Sequence, residues 1–430
     1  MKKLQIIFII LLIYGMTLMP TVNCEILEYK NSRRHLEVIP ELSIFYLEAS
    51  SPYEYGLKVG RRFCLIYKII DILADFTKNN KISNKDIEEQ INLIEQNCPF
   101  FLDELMGLSD GLNIKLERLI FLQNLFLSMF NHECTVTLAT GRATKYNETF
   151  LTFNVDTSVG IGDTIGTILH RLFALKCWIV RINTIRYKYA FWGVPIIYEF
   201  PFLNEKGLGW GSPGTRLTTN QSRYIDEGPG ISTMMLERLT MMTCKDVNEA
   251  AELYKNMERG SQKDKGWFHQ YDGSSSCYCD RNGGILIIEQ THNYIKTVFG
   301  NSTDITGAPE NILWHANHHQ WLDPNLTGSI FPSEYLSSAL RAERALELLI
   351  CNYGNITLEV CKNIVKDHGG GFDKNGKDPG DICRHPNKED NRITAYAWII
   401  QPKNLTVYWT YRIPCRSIFW KHDFSRYFGE

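Results

Sequence analysis

Glu133-Cys134-Thr-Val-Thr-Leu-Ala-Thr140, followed by Phe150-Leu-Thr-Phe-Asn154-Val-Asp156, decides how this chain is read. Upstream, apolar residues recur at helical spacing. The spacing predicts helices over Tyr53–Phe76, Lys85–Asn97 with Asn84 as cap, Pro99–Leu112 stopping near Gly111, and Leu116–Phe130. At Cys134 the grammar changes to short runs rich in Val, Ile, Thr and aromatics, separated by turn residues. Strands are expected at Thr135–Thr140, Phe150–Val155, Trp178–Asn183 and Tyr187–Trp192. A helix pair follows at Ile231–Thr243 and Asp246–Arg259, then strands at Gly284–Gln290 and Ile312–Ala316. Helices at Glu334–Cys351 and Leu358–Val365 precede strands at Thr394–Gln401 and Thr406–Tyr411 and a closing segment Phe419–Phe428. This order predicts an α+β protein with helices outside antiparallel sheets and a helical N-terminal segment.

Composition agrees with a large globular core: 430 residues, 44% hydrophobic and 22% charged. It excludes a disordered tail protein, a collagen-like repeat and a small disulfide scaffold. A formal net charge of -2, with no basic tract, leaves no electrostatic footprint for nucleic acid.

The first residues carry Lys2 and Lys3, an apolar run Ile6–Leu18, Pro20, and small residues at Val22 and Cys24. That is the pattern of a cleaved secretory signal over residues 1–24, too short to span a bilayer. No other segment is long and apolar enough to cross a membrane, so a secreted or lysosomal protein is expected. Sequons at Asn147, Asn220, Asn301, Asn325, Asn355 and Asn404 agree with glycosylation on that route. Of the 12 cysteines, losing Cys24 and keeping one reactive thiol leaves an even number for disulfides, with connectivity open.

No cysteine spacing is a convincing zinc pattern. Asp373–Asp378 superficially resembles a calcium loop without the rest of its pattern. His315, His318 and His319 show no acidic or Cys partner, so no metal and no cofactor is expected. Cys383 and His385 lie in a Gly- and Asp-rich loop and read as structural, with Cys383 a candidate for a disulfide. Trp192, Tyr198, Phe200 and Trp210 read as core or as an aromatic pocket.

Several segments, in order, resemble one family. They are Cys98-Pro99 through Glu104, Gly107 and Asp110-Gly111; Leu119–Asn124; Asn204-Glu-Lys-Gly-Leu208; His315-Ala-Asn317-His318; Asp381-Ile-Cys383-Arg384-His385; and Ile413-Pro414-Cys415. Together they are similar to the acyl-CoA:6-aminopenicillanic acid (isopenicillin N) acyltransferase family of N-terminal nucleophile hydrolases. Penicillin V acylase, bile salt hydrolase and acid ceramidase are its more distant relatives.

The resemblance implies a four-layer αββα sandwich and a zymogen cut by itself at Glu133-Cys134. A light chain, residues 25–133, would stay bound to a heavy chain, residues 134–430. It implies Cys134 as nucleophile and Asp156 as the carboxylate that orients the new Cys134 amine. Asn317 is implied as oxyanion donor, and Arg341 or Arg344, three residues apart on a helix, as the arginine near the site. Asn154 and Ser338 are implied in support. Two departures stand out. Phe153 replaces the Arg that bile salt hydrolases carry before Asn154, and Gly209–Gly214 replaces a second oxyanion Asn.

The chemistry is coherent without the resemblance. A thiol with reference pKa of ~8.5 needs a base, and an N-terminal cysteine carries one in its own α-amine, reference pKa ~7.7–8.0. The expected activity is hydrolysis of a linear, non-peptide small-molecule amide through a thioester. The alternatives are acyl transfer to an amine, a lipid amidase of the ceramidase type, and a catalytically silent secreted binding protein.

Overall fold

In the computed structural model, the described residues are 43–74, 84–128, 133–158, 176–218, 220, 222–261, 274–369, 380–386 and 392–429. The expected signal segment, Cys24 and the loop Asp373–Asp378 lie outside them.

Two sheets form the middle of the molecule. The eight-stranded one runs, in spatial order, β1 (Ser43–Ala49), β4 (Lys176–Ile182), β5 (Tyr189–Val194), β6 (Tyr198–Asn204), β7 (Gly209–Gly211), β8 (Ser274–Cys279), β9 (Ile285–Gln290) and β10 (Ile295–Phe299). The six-stranded one runs β11 (Ile312–His315), β2 (Glu133–Ala139), β3 (Phe150–Ser158), β12 (Arg392–Gln401), β13 (Thr406–Thr410) and β14 (Trp420–Asp423). All pairings are antiparallel except β1 with β4.

Aromatic side chains fill the space between the sheets. Trp192 of β5 meets Trp409 of β13 with ring centroids 3.8 Å apart, and Phe153 of β3 meets Trp210 of β7 at 6.1 Å. Trp192 and Trp210 are therefore core. The burial pattern of β2, with every residue inside, follows from this double cover.

Helices cover both outer faces. The N-terminal group is α1 (Pro52–Ala74), α2 (Asn84–Asn97), α3 (Pro99–Leu112) and α4 (Leu116–Ser128). It packs on the eight-stranded sheet together with α5 (Thr233–Thr243) and α6 (Val247–Asn256). On the six-stranded sheet lie α7 (Leu336–Cys351) and α8 (Leu358–Val365). The result is four layers, α, β, β, α, as the resemblance implies, with helices outside the sheets as the element order suggests. Among the described residues no helix is long and apolar enough to cross a membrane.

A buried ion-pair network ties the N-terminal helices to the rest. Arg238 of α5 meets Glu104 of α3 and Glu199 of β6, each at 2.7 Å, and Tyr55 of α1 donates to Glu199 at 3.0 Å. Gly56 and Gly60 of α1 face Gly107 and Gly111 of α3 so closely that a Cβ at any of them would meet opposing backbone. Gly111 is thus a contact residue inside the helix. The stop is Asn113, in the left-handed region at φ 56°.

The structure corrects several expectations. Segment 25–133, expected to be mostly helical, also holds a strand, Ser43–Ala49, whose partner lies far downstream. β6 escapes pattern reading because Pro201 interrupts it, and the chain accommodates that proline opposite Phe191 where the β5–β6 register shifts. β8 opens Ser274-Ser-Ser, which reads as loop. The disulfide expectation fails for the described chain, where Cys64, Cys98, Cys134, Cys177, Cys244, Cys277, Cys279, Cys351, Cys361, Cys383 and Cys415 are all free thiols. Most are buried in the core, where a thiol behaves as a small apolar group.

Glu237 of α5 is a buried acid that accepts from Ser276 Oγ at 2.8 Å. Burial pushes its carboxyl up to about 7, against the pull of hydrogen bonds from Ser212, Ser276 and Trp210. A carboxyl raised this way favours the fold below its unfolded value and loses that contribution as pH climbs through the folded value. The difference in thermal midpoint between wild type and Glu237→Gln should therefore move between pH 4.5 and 7, by the equivalent of about 3 kcal/mol. A difference curve flat across that window would refute the buried-acid assignment.

Candidate functional site

β2 and β3 bring the first two candidates together: Glu133 pairs with Asp156, and Cys134 with Val155. β11 flanks β2 on its other side, and the chain leaving β11 carries Asn317 across to Cys134. The Cys134 backbone N–H donates to Asn317 Oδ1 at 2.9 Å. Arg341, inside α7, donates to the same oxygen at 2.8 Å, to the Cys134 carbonyl at 2.5 Å and to Thr135 Oγ1 at 2.9 Å. With two donors converging on it, the Asn317 oxygen faces Cys134, while its Nδ2 donates to the Gly214 carbonyl at 2.8 Å. One of the two Nδ2 hydrogens is thereby used, and the second is the one an oxyanion could receive.

The remaining candidates sort by contact. Ser338 Oγ accepts from the Asn317 backbone N–H at 2.6 Å and meets His318 Nδ1 at 2.8 Å, so it holds the Asn317 loop. Asn154 Nδ2 donates to the Val365 and Ile382 carbonyls at 3.0 and 2.9 Å, tying β3 to the end of α8 and the 380–386 loop. Arg344 is not at the site. It pairs with Asp367 at 2.7 Å and Glu347 at 2.8 Å, one turn away from Arg341 and aimed elsewhere. The two arginines do not share a target because three residues still rotate a side chain by tens of degrees around the helix.

Asp156 is fully buried. Its Oδ1 accepts from Thr394 Oγ1 at 2.6 Å, and its Oδ2 lies 3.9 Å from the Arg384 guanidinium. Burial raises its carboxyl above the usual range, with Arg384 and Arg341 pulling the other way. Burial also pushes the Cys134 thiol far up, helped by the Asp156 charge and opposed by Arg341. Cys134 is only 4% exposed, so its thiol is enclosed and its protonated form favoured.

Glu133 was read only as the residue before the cut. The structure gives it a cage of four guanidiniums: Arg384, Arg392 at 2.5 Å, Arg341 at 3.2 Å and Arg216 at 3.3 Å. Burial alone would raise its carboxyl, but Arg384, Arg341, Arg392 and Arg216 together hold it well below the carboxylate range. Arg384 sits inside the Asp381–His385 segment that carries the family resemblance; Arg216 and Arg392 have no pattern around them. Glu289 also escapes pattern reading. It is buried on β9, receives His315 Nε2 at 2.7 Å and accepts from the backbone N–H groups of Gln320, Trp321 and Leu322. It therefore anchors the loop that presents Asn317. His315 and His318 point to different partners, Glu289 and Ser338.

All six sequon asparagines, Asn147, Asn220, Asn301, Asn325, Asn355 and Asn404, are exposed.

No protein-family model and no curated protein matches the chain. Among solved structures it is similar to conjugated bile acid hydrolase from Clostridium perfringens in two variant forms. One is 13% identical with a TM-score of 0.41, the other 14% with 0.40, and each match covers 68% of this chain and 93% of the other. It is also similar to penicillin V acylase from Agrobacterium tumefaciens, at 11% identity and a TM-score of 0.40, over 68% of this chain and 87% of that one.

Proposed function

We propose that this chain is the precursor of a cysteine amidohydrolase that cuts itself between Glu133 and Cys134 and then cleaves a linear, non-peptide small-molecule amide. The observation that carries the reading is the convergence on Cys134: its nitrogen is held by Asn317, its carbonyl by Arg341, and Asp156 stands on the adjoining strand.

In the first step the Cys134 sulfur attacks the Glu133 carbonyl carbon. The C–N bond breaks, the thiol proton passes to the departing nitrogen, and a thioester joins Glu133 to Cys134 Sγ. Water then adds to that thioester, freeing the Glu133 carboxylate and returning the thiol. The freed Cys134 amine is the base the buried thiol lacks. Asn317 Oδ1 already accepts from this nitrogen and would fix its direction. Asp156 would stabilise its charged form. In turnover the same sulfur forms a thioester with the substrate acyl group, the amine hands its proton to the leaving amine, and water completes the cycle.

The exposed sequons support a secretory or lysosomal route for such a protein. The light chain would remain attached through the Arg238 network and the α1–α3 contact with the sheets. The test is denaturing electrophoresis with N-terminal mass mapping of purified, active protein. Two fragments, one beginning at Cys134, are expected. Amide turnover by an uncut single chain would overturn the reading, and a thioester resolved by amines in preference to water would make the enzyme an acyltransferase.

A further inference from the structure

Four side chains that the nucleophile chemistry does not use meet on the far side of the 380–386 loop: His368, Cys383, His385 and Cys415. One ligand-type atom from each, nitrogen or sulfur, lies within 4.8 Å of every other, and His385 Nε2 is 3.2 Å from Cys415 Sγ. We propose that these four residues bind a zinc ion, with the two cysteines as thiolates and the two histidines as neutral imidazoles.

The donor set argues for the metal. Two sulfurs and two imidazole nitrogens are a structural zinc set. Zn–S bonds of about 2.3 Å and Zn–N bonds of about 2.0–2.1 Å, at tetrahedral angles, separate ligand atoms by roughly 3.3–3.8 Å. A pair at the 4.8 Å limit would have to close by about 1 Å to reach that spacing. A Cys383–Cys415 disulfide would employ two of them and leave the convergence of two imidazoles without a purpose. Charge agrees as well: two thiolates neutralise the ion, and binding releases two protons to solvent. Asp381 Oδ2 lies 4.0 Å from His368 Nδ1, a carboxylate beside the cluster but beyond hydrogen-bond reach of the ring.

The location gives the ion a task. His368 follows α8, Cys383 and His385 lie in the irregular 380–386 loop, and Cys415 sits in the 3-10 turn Pro414–Arg416. Among the described residues, a backbone hydrogen bond from the Cys383 N–H to the Asp367 carbonyl at 2.9 Å ties that loop to the segment after α8, and the Thr394 N–H donates to the Arg384 carbonyl at 3.1 Å. Yet the loop delivers Arg384 to Glu133 and Asp156, and the Ile382 carbonyl to Asn154. Zinc would cross-link three separate segments and hold Arg384 in place. The spacing of the four residues matches no familiar motif because the ligands come from three elements.

The experiment is metal analysis of the full-length protein, purified without chelator or added metal. One zinc per chain is expected, lost in both His368→Ala and Cys415→Ser. His368 is exposed, so its alanine variant should fold even if a cysteine variant does not. Mass mapping of alkylated protein should show Cys383 and Cys415 protected until a chelator is added. Three results would each overturn the site: no zinc with both thiols open, no zinc with both thiols unreactive until a reductant is added, or zinc retained by the variants. None of these readouts depends on Cys134 or on turnover.

Discussion

Cys134→Ala should leave the chain whole and abolish amide turnover, a loss on the order of 10⁶ in kcat, the scale seen when a covalent nucleophile is deleted from an organised site. The variant removes one sulfur atom from a buried position on β2, and truncation by so small a group should cost only about 1 kcal/mol. The fold should therefore survive, and circular dichroism should match that of wild type. Two phenotypes must fall together, because one atom is asked to perform both steps. Cys134→Ser should separate them by degree: a hydroxyl is a far weaker nucleophile at neutral pH, so cutting slows from co-purifying to measurable over time. Asp156→Asn keeps an acceptor for Thr394 but removes the charge that would stabilise the Cys134 ammonium. It should slow turnover by about 10²–10⁴, the range assigned to proton-transfer groups. Gels followed over hours and a panel of N-acyl and aminoacyl amines read both effects. A Cys134→Ala chain that still cuts itself, or still hydrolyses amides, would remove the nucleophile from the account.

What the sequence disclosed depended on how local the signal was. α8 at Leu358–Val365 and α3 at Pro99–Leu112 were legible to the residue, because helical periodicity and a proline at the first turn are written within a few positions. β6 and β8 were not. A strand that holds a proline at a register shift, or opens on three serines, is stabilised by neighbours its own sequence does not mention. The same division runs through the site. Cys134, Asp156 and Asn317 stood out because each lies in a short recognisable string, whereas Arg341 and Arg344, three residues apart, could not be told apart until the helix was placed. The Glu133 cage and the Glu289 anchor did not stand out, because their members come from β2, β9, β11, β12, α7 and separate loops and meet only in the fold. The His368–Cys415 cluster is the clearest case: cysteine arithmetic pointed to disulfides, and only the fold puts two imidazoles beside two thiols.

Glu133→Ala, made in the Cys134→Ala background so that the chain stays whole, should destabilise the precursor by about 3–5 kcal/mol, the cost of breaking a buried ion pair from one side. Arg341 and Arg384 are fully buried, and Arg216 and Arg392 are roughly three-quarters so, at 29% and 25% side-chain exposure. Removing the carboxylate leaves these cations facing one another beside Asp156, whose carboxyl is raised by burial. Glu133→Gln should cost less, since it keeps a hydrogen-bond acceptor and the shape while losing the charge. The pH dependence follows from the same cage. Glu133 is depressed in the fold, so its contribution is complete above the unfolded value near 4.5 and fades only as pH falls toward the lower folded value. Mild acid alone would therefore not release Glu133 from its arginines. Thermal midpoints of the two double variants against Cys134→Ala, measured at pH 7 and pH 5, test this directly. The alanine variant should melt several degrees lower at both values. A midpoint unchanged by Glu133→Ala would mean that the four guanidiniums find other partners, and that the carboxylate before the cut contributes nothing to holding the precursor closed.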